Sequence, residues 1–326
     1  MQLTARIPVK AYYEKSALPS FSNYPITKFP NYPIQMNGVL IIDKPSGFTS
    51  HDVVARVRRI LGQKAVGHLG TLDPLATGVL PLVLGNMTRL AQFYLGAEKS
   101  YEGAIRFGFA TDTYDAEGEP LADPQELSLT LEQVRTLAGQ FLGKIEQTPP
   151  PFSAKKVNGV PAYTLARQKK EVVLQPVQVE IKQFEISKQE DSRAHFAAQV
   201  ASGTYLRSIA HEMGQLAGCG AHLESLRRTA VAEFRIEDAH TLAELEQAAQ
   251  GGEVENVLVH PRTLMPTLPS VTADAEAAAK IRHGMPVNLA EFSRAREVKV
   301  FSGQRDLIAI ATRVAGTLFH PRIVFV

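Results

Sequence analysis

The sequence predicts an α+β fold: a mixed or antiparallel sheet with flanking helices, followed by a small β-rich C-terminal unit. Three observations lead there. Short apolar or alternating runs, the mark of strands, interleave with stretches whose apolar residues recur at helical spacing. The two kinds follow each other without the regular strand–helix repeat of a parallel α/β sheet. Beyond Gly251-Gly252, the prolines Pro261, Pro266 and Pro269 precede only short apolar runs. At 326 residues the chain has the length of about two domains. The expected divisions are an arm over residues 1–36, a main domain over 37–250 and a C-terminal domain over 251–326.

The arm comes first. Five prolines (Pro8, Pro19, Pro25, Pro30, Pro33) among several Tyr and Phe exclude a helix. An extended arm is expected, lying on the domain surface or disordered. Arg6, Lys10 and Lys15 leave an organelle transit peptide as the alternative. Gly38 to Asp43 is a short apolar run, read as a buried strand, and Lys44-Pro45-Ser46-Gly47 ends it with turn residues. Thr49 or Ser50 then caps a helix whose one face carries Val53, Val54, Val57, Ile60 and Leu61. Arg56, Arg58 and Arg59 fall mostly on the other face, where solvation and phosphate contact are both open. Gly62 to Thr77 reads as irregular, Gly78 to Leu84 as a strand, Thr88 to Ala97 as a helix and Ser100 to Ala110 as an alternating strand. Leu131 to Leu142 is an amphipathic helix, and Pro149-Pro150-Pro151 halts the chain. Val177–Ile186 and His195–Ala201 read as strands. Tyr205 to Leu216 reads as a helix ended by Gly218 and Gly220, and Leu242–Ala249 as a further helix. Residues 297–301, 306–312 and 322–326 supply the C-terminal strands.

Composition narrows the function. Apolar residues are 44% and charged residues 21%, ordinary for a globular chain, and the net charge is only +2, so any nucleic-acid footprint must be local. The single cysteine, Cys219, allows neither an intrachain disulfide nor a Cys-based zinc site and fits a reducing compartment. No run approaches the ~18 apolar residues of a membrane span, and the N-terminus lacks an apolar signal core.

Several motifs fail. His211-Glu212-Met213-Gly214-Gln215 lacks the second histidine of a zinc-protease helix. Asp112, Asp115, Glu117 and Gly118 have the wrong spacing for a calcium loop. Neither a Gly-x-Ser-x-Gly elbow nor a Walker or Gly-x-Gly-x-x-Gly loop is present, so a nucleotide cofactor is not expected. What remains is Gly67 to Gly78, with three glycines, His68 and Asp73-Pro74. Pro74 biases Asp73 toward an extended backbone, which can point a carboxylate into a cleft; an ordinary turn is the alternative. Such a nucleophile must be ionised at neutral pH, and Arg207, at a helix start after a strand, could pair with it bidentately or be a plain helix arginine. Lys155, Lys156, Arg167, Lys169 and Lys170 lie between Ser153 and Lys170 with no acid among them and with Tyr163 interleaved. This is either a nucleic-acid surface or a solvated helix end.

Together these segments resemble the TruB family of tRNA pseudouridine synthases. Gly70-Thr71-Leu72-Asp73-Pro74-Leu75-Ala76-Thr77-Gly78 is similar to the family signature around its catalytic aspartate. Asp43-Lys44-Pro45-Ser46-Gly47, Lys99-Ser100-Tyr101, the runs 111–118, 149–159 and 162–167, Gly203-Thr204-Tyr205-Leu206-Arg207 and Leu226-Arg227-Arg228-Thr229 follow in the family's order over residues 38–230. Arg282 to Val287 resembles the entry to a PUA-type RNA-binding domain. The proline-rich arm departs from the family pattern.

The resemblance implies a pseudouridine synthase fold with a PUA-like C-terminal domain and a cytoplasmic, cofactor- and metal-free isomerase. The implied substrate is uridine 55 of the tRNA T loop, held at the T arm and elbow, with no membrane and no obligate protein partner; nothing demands more than a monomer. It implies that Asp73 is the nucleophile, that Tyr101 stacks on the target base and that Arg207 keeps Asp73 ionised. His68 would help displace the base, Tyr205 and Leu226 would line the uracil pocket, and Lys44, within the substrate-binding set, would brace the active-site loop. Lys155, Lys156 and Arg167 would meet RNA. The alternatives are a guide-RNA-dependent synthase and a non-catalytic tRNA-folding chaperone.

Overall fold

A computed structural model of the chain describes residues 36–125, 129–153, 155–157, 159–168 and 172–325. The proline-rich arm before Met36, and Lys169 and Lys170 of the basic stretch, lie outside the described residues.

β1 (Gly38–Lys44) is the expected buried strand. Thr49 then starts α1 (Ser50–Leu61) through a reciprocal capping box with Asp52, and Gly62, left-handed at φ +62°, ends it in the manner of a glycine C-cap. Val53, Val54, Val57, Ile60 and Leu61 are buried as the spacing required. β2 (Val66–His68) is a short strand inside the stretch read as irregular. β3 (Thr77–Leu84) is buried on both faces.

Residues 85–93 form a three-ten helix where an α-helix was expected from Thr88. The Thr88 hydroxyl donates to the Gly85 carbonyl at 2.9 Å. That carbonyl is the one an α-helix would offer to the N–H of Arg89. β4 (Lys99–Phe107) follows, then α2 (Leu131–Gly139) and β5 (Gly143–Gln147). A two-rung hairpin, β6 (Lys156–Val157) and β7 (Val160–Pro161), leads into α3 (Ala162–Arg167). β8 (Val177–Glu190) and β9 (Arg193–Val200) are long neighbours. After α4 (Leu206–Leu216) comes β10 (Ala221–Val231), which the sequence did not announce. β11 (Phe234–Arg235) and α5 (Leu242–Gly251) complete this part.

The strands β1–β3–β10–β4–β9–β8–β5 form one sheet, with β2 added to β3 and β11 to β10. Every pair in it is antiparallel except β3 with β10, which is parallel. The sheet is therefore mixed, as expected. α2 and α4 cover one stretch of it in a core that includes Phe107, Phe184, Phe196 and Met213. α1 and α5 cover β1 and β3. Beyond a linker, β12 (Ser270–Ala273), α6 (Ala275–Arg282), β13 (Val287–Asn288), β14 (Glu297–Ser302), β15 (Asp306–Ala315) and β16 (Leu318–Val324) form a second, five-stranded sheet, ordered β12–β14–β15–β16–β13. This is the β-rich C-terminal part the sequence predicted. One apolar core unites Phe301, Leu307, Ile310, Ile323 and Phe325 of that sheet with Val39, Ile41, Val79 and Val83 of the first.

Candidate active site

The loop between β2 and β3 carries Asp73, and the surrounding structure holds its backbone from several sides. The Leu72 N–H donates to Ser50 Oγ at 2.8 Å, and the same hydroxyl donates to the Leu72 carbonyl at 3.2 Å. Lys44, fully buried, aims its ammonium at the carbonyls of Pro45 (2.9 Å), Phe48 (2.5 Å) and Pro74 (3.2 Å). It braces the loop through the main chain, and burial lowers its pKa to about 8 against the pull of Glu117 and Asp73. Arg228, also fully buried, donates to the carbonyls of Val79 (2.8 Å), Thr71 (3.1 Å) and Gly70 (3.0 Å). The parallel pairing of β3 and β10 sets Arg228 beside Gly78. A β-carbon on Gly78 would lie 2.2 Å from the Arg228 carbonyl oxygen, and its φ is +99°. Only glycine allows that approach.

This clamping places the Asp73 carboxylate against Arg207, the second residue of α4, with Oδ2 at 2.9 Å from Nε. The Arg207 side chain is 6% exposed and the Asp73 side chain 39%, so the outer edge of the carboxylate remains open to solvent. Arg207 is itself fixed: Nη1 lies 3.4 Å from Asp115 Oδ2 and donates to the Thr113 carbonyl at 3.2 Å, while Nη2 donates to the Phe152 carbonyl at 3.0 Å. Asp115 is 3% exposed, and its other oxygen accepts from Thr113 Oγ1 at 2.6 Å and from the Glu117 N–H at 3.1 Å. Burial raises the pKa of Asp73; Arg207 opposes the shift and Asp115 adds to it. Water at the open edge moderates this push, because solvation favours the ionised form. Arg207 thus counters desolvation without overriding it.

The remaining residues fall into two groups. Tyr101 on β4 is 8% exposed and belongs to the core that contains Leu72, Ala76 and Leu206, against which Leu226 packs. Arg228 lies within hydrogen-bonding reach of the Tyr101 side chain, in register with it across β4 and β10. Tyr205 exchanges backbone hydrogen bonds with the Gln147 amide at 2.8 and 3.1 Å; burial and the Asp73 charge raise its phenol pKa. The Gly70 N–H donates to His68 Nδ1 at 3.3 Å. Burial, with His51 and Arg228, lowers the His68 pKa, so the ring is neutral at pH 7 with its proton on Nε2.

Lys155, Lys156 and Arg167 form no part of this recess. They are exposed on the β6–β7 hairpin and α3, where the Arg167 guanidinium lies 5.5 Å from the Tyr163 ring centroid. The hairpin's root at Phe152 is tied to Arg207.

Sequence reasoning missed Asp115 and Arg228 as members of the site. Both stood inside runs that resembled the family. The signal for Asp115 was a loop dense in Asp and Thr whose spacing suits no calcium ion. Among the described residues no cluster of three or more His, Cys, Asp or Glu could hold a metal ion, and no helix is long and apolar enough to cross a membrane.

Comparison with known proteins identifies what the chain resembles. A model of the TruB family pseudouridylate synthase N-terminal domain matches residues 58–206, and one of the tRNA pseudouridylate synthase B C-terminal domain matches residues 207–267. The tRNA pseudouridine synthase B of Solibacter usitatus is 47% identical over 292 residues, covering 89% of this chain and all of that protein. The protein of the same name from Aquifex aeolicus is 36% identical over 88% of this chain and 99% of its own length. Among solved structures, a chain in a Cbf5–Nop10–Gar1 complex superposes with a TM-score of 0.65 at 26% identity, covering 89% of this chain and 85% of that one.

Proposed function

The chain belongs to the TruB family of pseudouridylate synthases, and from that membership we propose that it converts uridine 55 in the tRNA T loop with Asp73 as the nucleophile. It is an isomerase that forms pseudouridine in tRNA; the position, the loop and the residue roles are our reading. The observation that carries the reading is the Asp73 carboxylate, held 2.9 Å from a buried Arg207 with 39% of its side-chain surface open to solvent.

The reaction cleaves the bond between uracil N1 and ribose C1′, turns the base, joins C5 to C1′ and releases the C5 proton while N1 takes up a proton from solvent. It involves no net oxidation or hydrolysis, so neither a metal nor a cofactor is needed. A carboxylate nucleophile suffices, with either C1′ or uracil C6 as the point of attack. The target base must first leave its stack, which costs a few kcal/mol. Tyr101 supports this reading as the aromatic that stacks on the extruded base. Tyr205 and Leu226, beside Leu72 and Ala76, supply walls that keep the detached uracil from diffusing away. His68, neutral and beside the loop, occupies the opened stack. Lys155, Lys156 and Arg167 meet phosphates. Residues 37–250 serve as the catalytic domain and 251–326 as a PUA-like RNA-binding domain, acting in the cytoplasm without an obligate protein partner.

The test is tritium release from a T-arm stem-loop labelled at uridine C5, with EDTA present. The wild type releases tritium and Asp73→Asn does not. Absence of release from the wild type despite tight RNA binding would instead favour a guide-dependent or chaperone role.

A further inference from the structure

The two sheets are joined by a polar knot centred on Glu233, half-buried in the turn between β10 and β11. Glu233 Oε1 accepts the Tyr94 hydroxyl at 2.6 Å and the Met265 backbone N–H at 2.8 Å. Lys299, on β14 and 2% exposed, donates to the carbonyls of Arg262 at 2.9 Å and Leu264 at 2.6 Å. One short connector, 262–265, is therefore gripped from both sides: by Glu233 of the catalytic sheet and by Lys299 of the C-terminal sheet. The connector is not relaxed. Met265 has a φ of +47°, a left-handed backbone that a non-glycine residue keeps only where its surroundings over-determine it. At the rim, Arg89 Nη1 donates to the Val324 carbonyl at 2.7 Å, and Arg322 Nη2 donates to Gln92 Oε1 at 3.0 Å with its guanidinium over the Phe93 ring. Among the described residues, none of these groups hydrogen-bonds to Asp73, Tyr101 or Arg207.

The C-terminal part carries the chain's excess of positive charge. Residues 261–326 hold nine Lys and Arg against five Asp and Glu, while the other 260 residues hold 26 against 28. Arg294 and Arg296, just before β14, are exposed and make no ion pair among the described residues. Phe292, 84% exposed, stands in the same loop as Arg294 and Arg296. Free guanidinium groups beside an exposed ring suit an RNA backbone with an accessible base or stem end.

We infer that the Glu233–Lys299 knot fixes the reach between the Asp73 cleft and this arginine surface, making Tyr94, Glu233 and Lys299 positioning residues that select a long folded RNA touching both. The inference rests on the tRNA reading above. Its physical basis is effective concentration: a second contact adds affinity only when its spacing from the first is preset to match the ligand. A hinged C-terminal unit would forfeit that gain while leaving the chemistry intact.

The experiment compares full-length tRNA with its isolated T-arm stem-loop as substrates for the wild type, Glu233→Ala, Glu233→Gln and the rim variant Arg322→Ala. The wild type shows a lower KM for tRNA than for the stem-loop. Glu233→Ala raises the tRNA KM roughly fivefold or more, towards the stem-loop value, and leaves kcat on both RNAs and the stem-loop KM within about twofold. Arg322→Ala shows a weaker form of the same split. Glu233→Gln, which keeps an acceptor for Tyr94 and Met265, behaves as the wild type. Loss of turnover on both RNAs would reduce the knot to a stability element and overturn the inference. So would equal wild-type KM values for the two RNAs, or an unchanged tRNA KM in Glu233→Ala. A wild type that converts neither RNA removes the substrate reading, and the inference with it.

Discussion

Ionising Asp73 works against its surroundings, and the free protein bears the cost. Burial raises its pKa above the unfolded value of 3.8, with Arg207 only partly opposing. A carboxyl raised in the folded state binds more protons folded than unfolded between those two values. Its ionisation therefore subtracts stability as pH rises through that window, and the deficit persists at neutral pH. Asp73→Asn is accordingly expected to melt above the wild type at pH 7, with the difference vanishing once pH falls below about 3.8. Thermal melts of both proteins at the two pH values check this; a variant that melts lower at pH 7 would mean that the pair with Arg207 outweighs desolvation. The same pair marks what sequence can give at this scale. The residue types of Asp73 and Arg207 permitted an ion pair without announcing it; only the family resemblance implied their meeting. Asp115 was not legible, because nothing in a turn rich in Asp says which carboxylate will face a distant guanidinium. Lys44 and Arg228 work through backbone carbonyls, and carbonyls leave no mark in a sequence.

At the scale of elements, the hairpin β6–β7 with α3 is the part proposed above to meet RNA. Lys155, Lys156 and Arg167 are exposed on it, while the Phe152 carbonyl at its root accepts from Arg207. Replacing all three cations with alanine is expected to lower the slope of log K against log salt for tRNA binding by about 2 to 3, because each phosphate neutralised contributes about 0.7–0.9 to that slope. KM should rise while kcat on saturating RNA holds. Filter binding between low and moderate salt measures the slope, and an unchanged slope would make these residues a solvated helix end. The sequence marked this stretch by its charges and by Pro149-Pro150-Pro151, but not as a hairpin: β6 and β7 are two residues each, too short to show an alternation. β10 was not marked, although it is central to the sheet. Its sequence, AHLESLRRTAV, carries Glu224, Arg227 and Arg228, and bulges at Leu223/Ser225 and Arg228/Ala230 break the alternation that identifies a strand. Those irregularities serve the site, since β10 presents Leu226 to the apolar wall and Arg228 to the Asp73 loop. A strand bent to function loses the period by which it would be recognised.

For the whole molecule, the shared core decides how the chain unfolds. Phe301, Leu307, Ile310, Ile323 and Phe325 pack in one cluster with Val39, Ile41, Val79 and Val83, so neither sheet completes its apolar interior alone. Two units that merely touch through a polar interface melt separately; units sharing a buried core melt together. Calorimetry of the full chain is therefore expected to give one transition, with calorimetric and van't Hoff enthalpies in agreement. Removing residues 268–326 should expose the β1–β3 side of that core and cause the truncated chain to aggregate. Two resolved transitions in the intact protein, or a truncated form that stays monomeric and folded, would contradict the shared core. Length and the shift to short apolar runs past Gly252 announced a C-terminal β-rich part, but composition cannot say whether two parts of a chain are tethered or fused. That distinction lies in Phe301, Phe325 and Met265, each an unremarkable apolar residue in sequence. Their significance comes from the partner surface that only the folded chain brings to them.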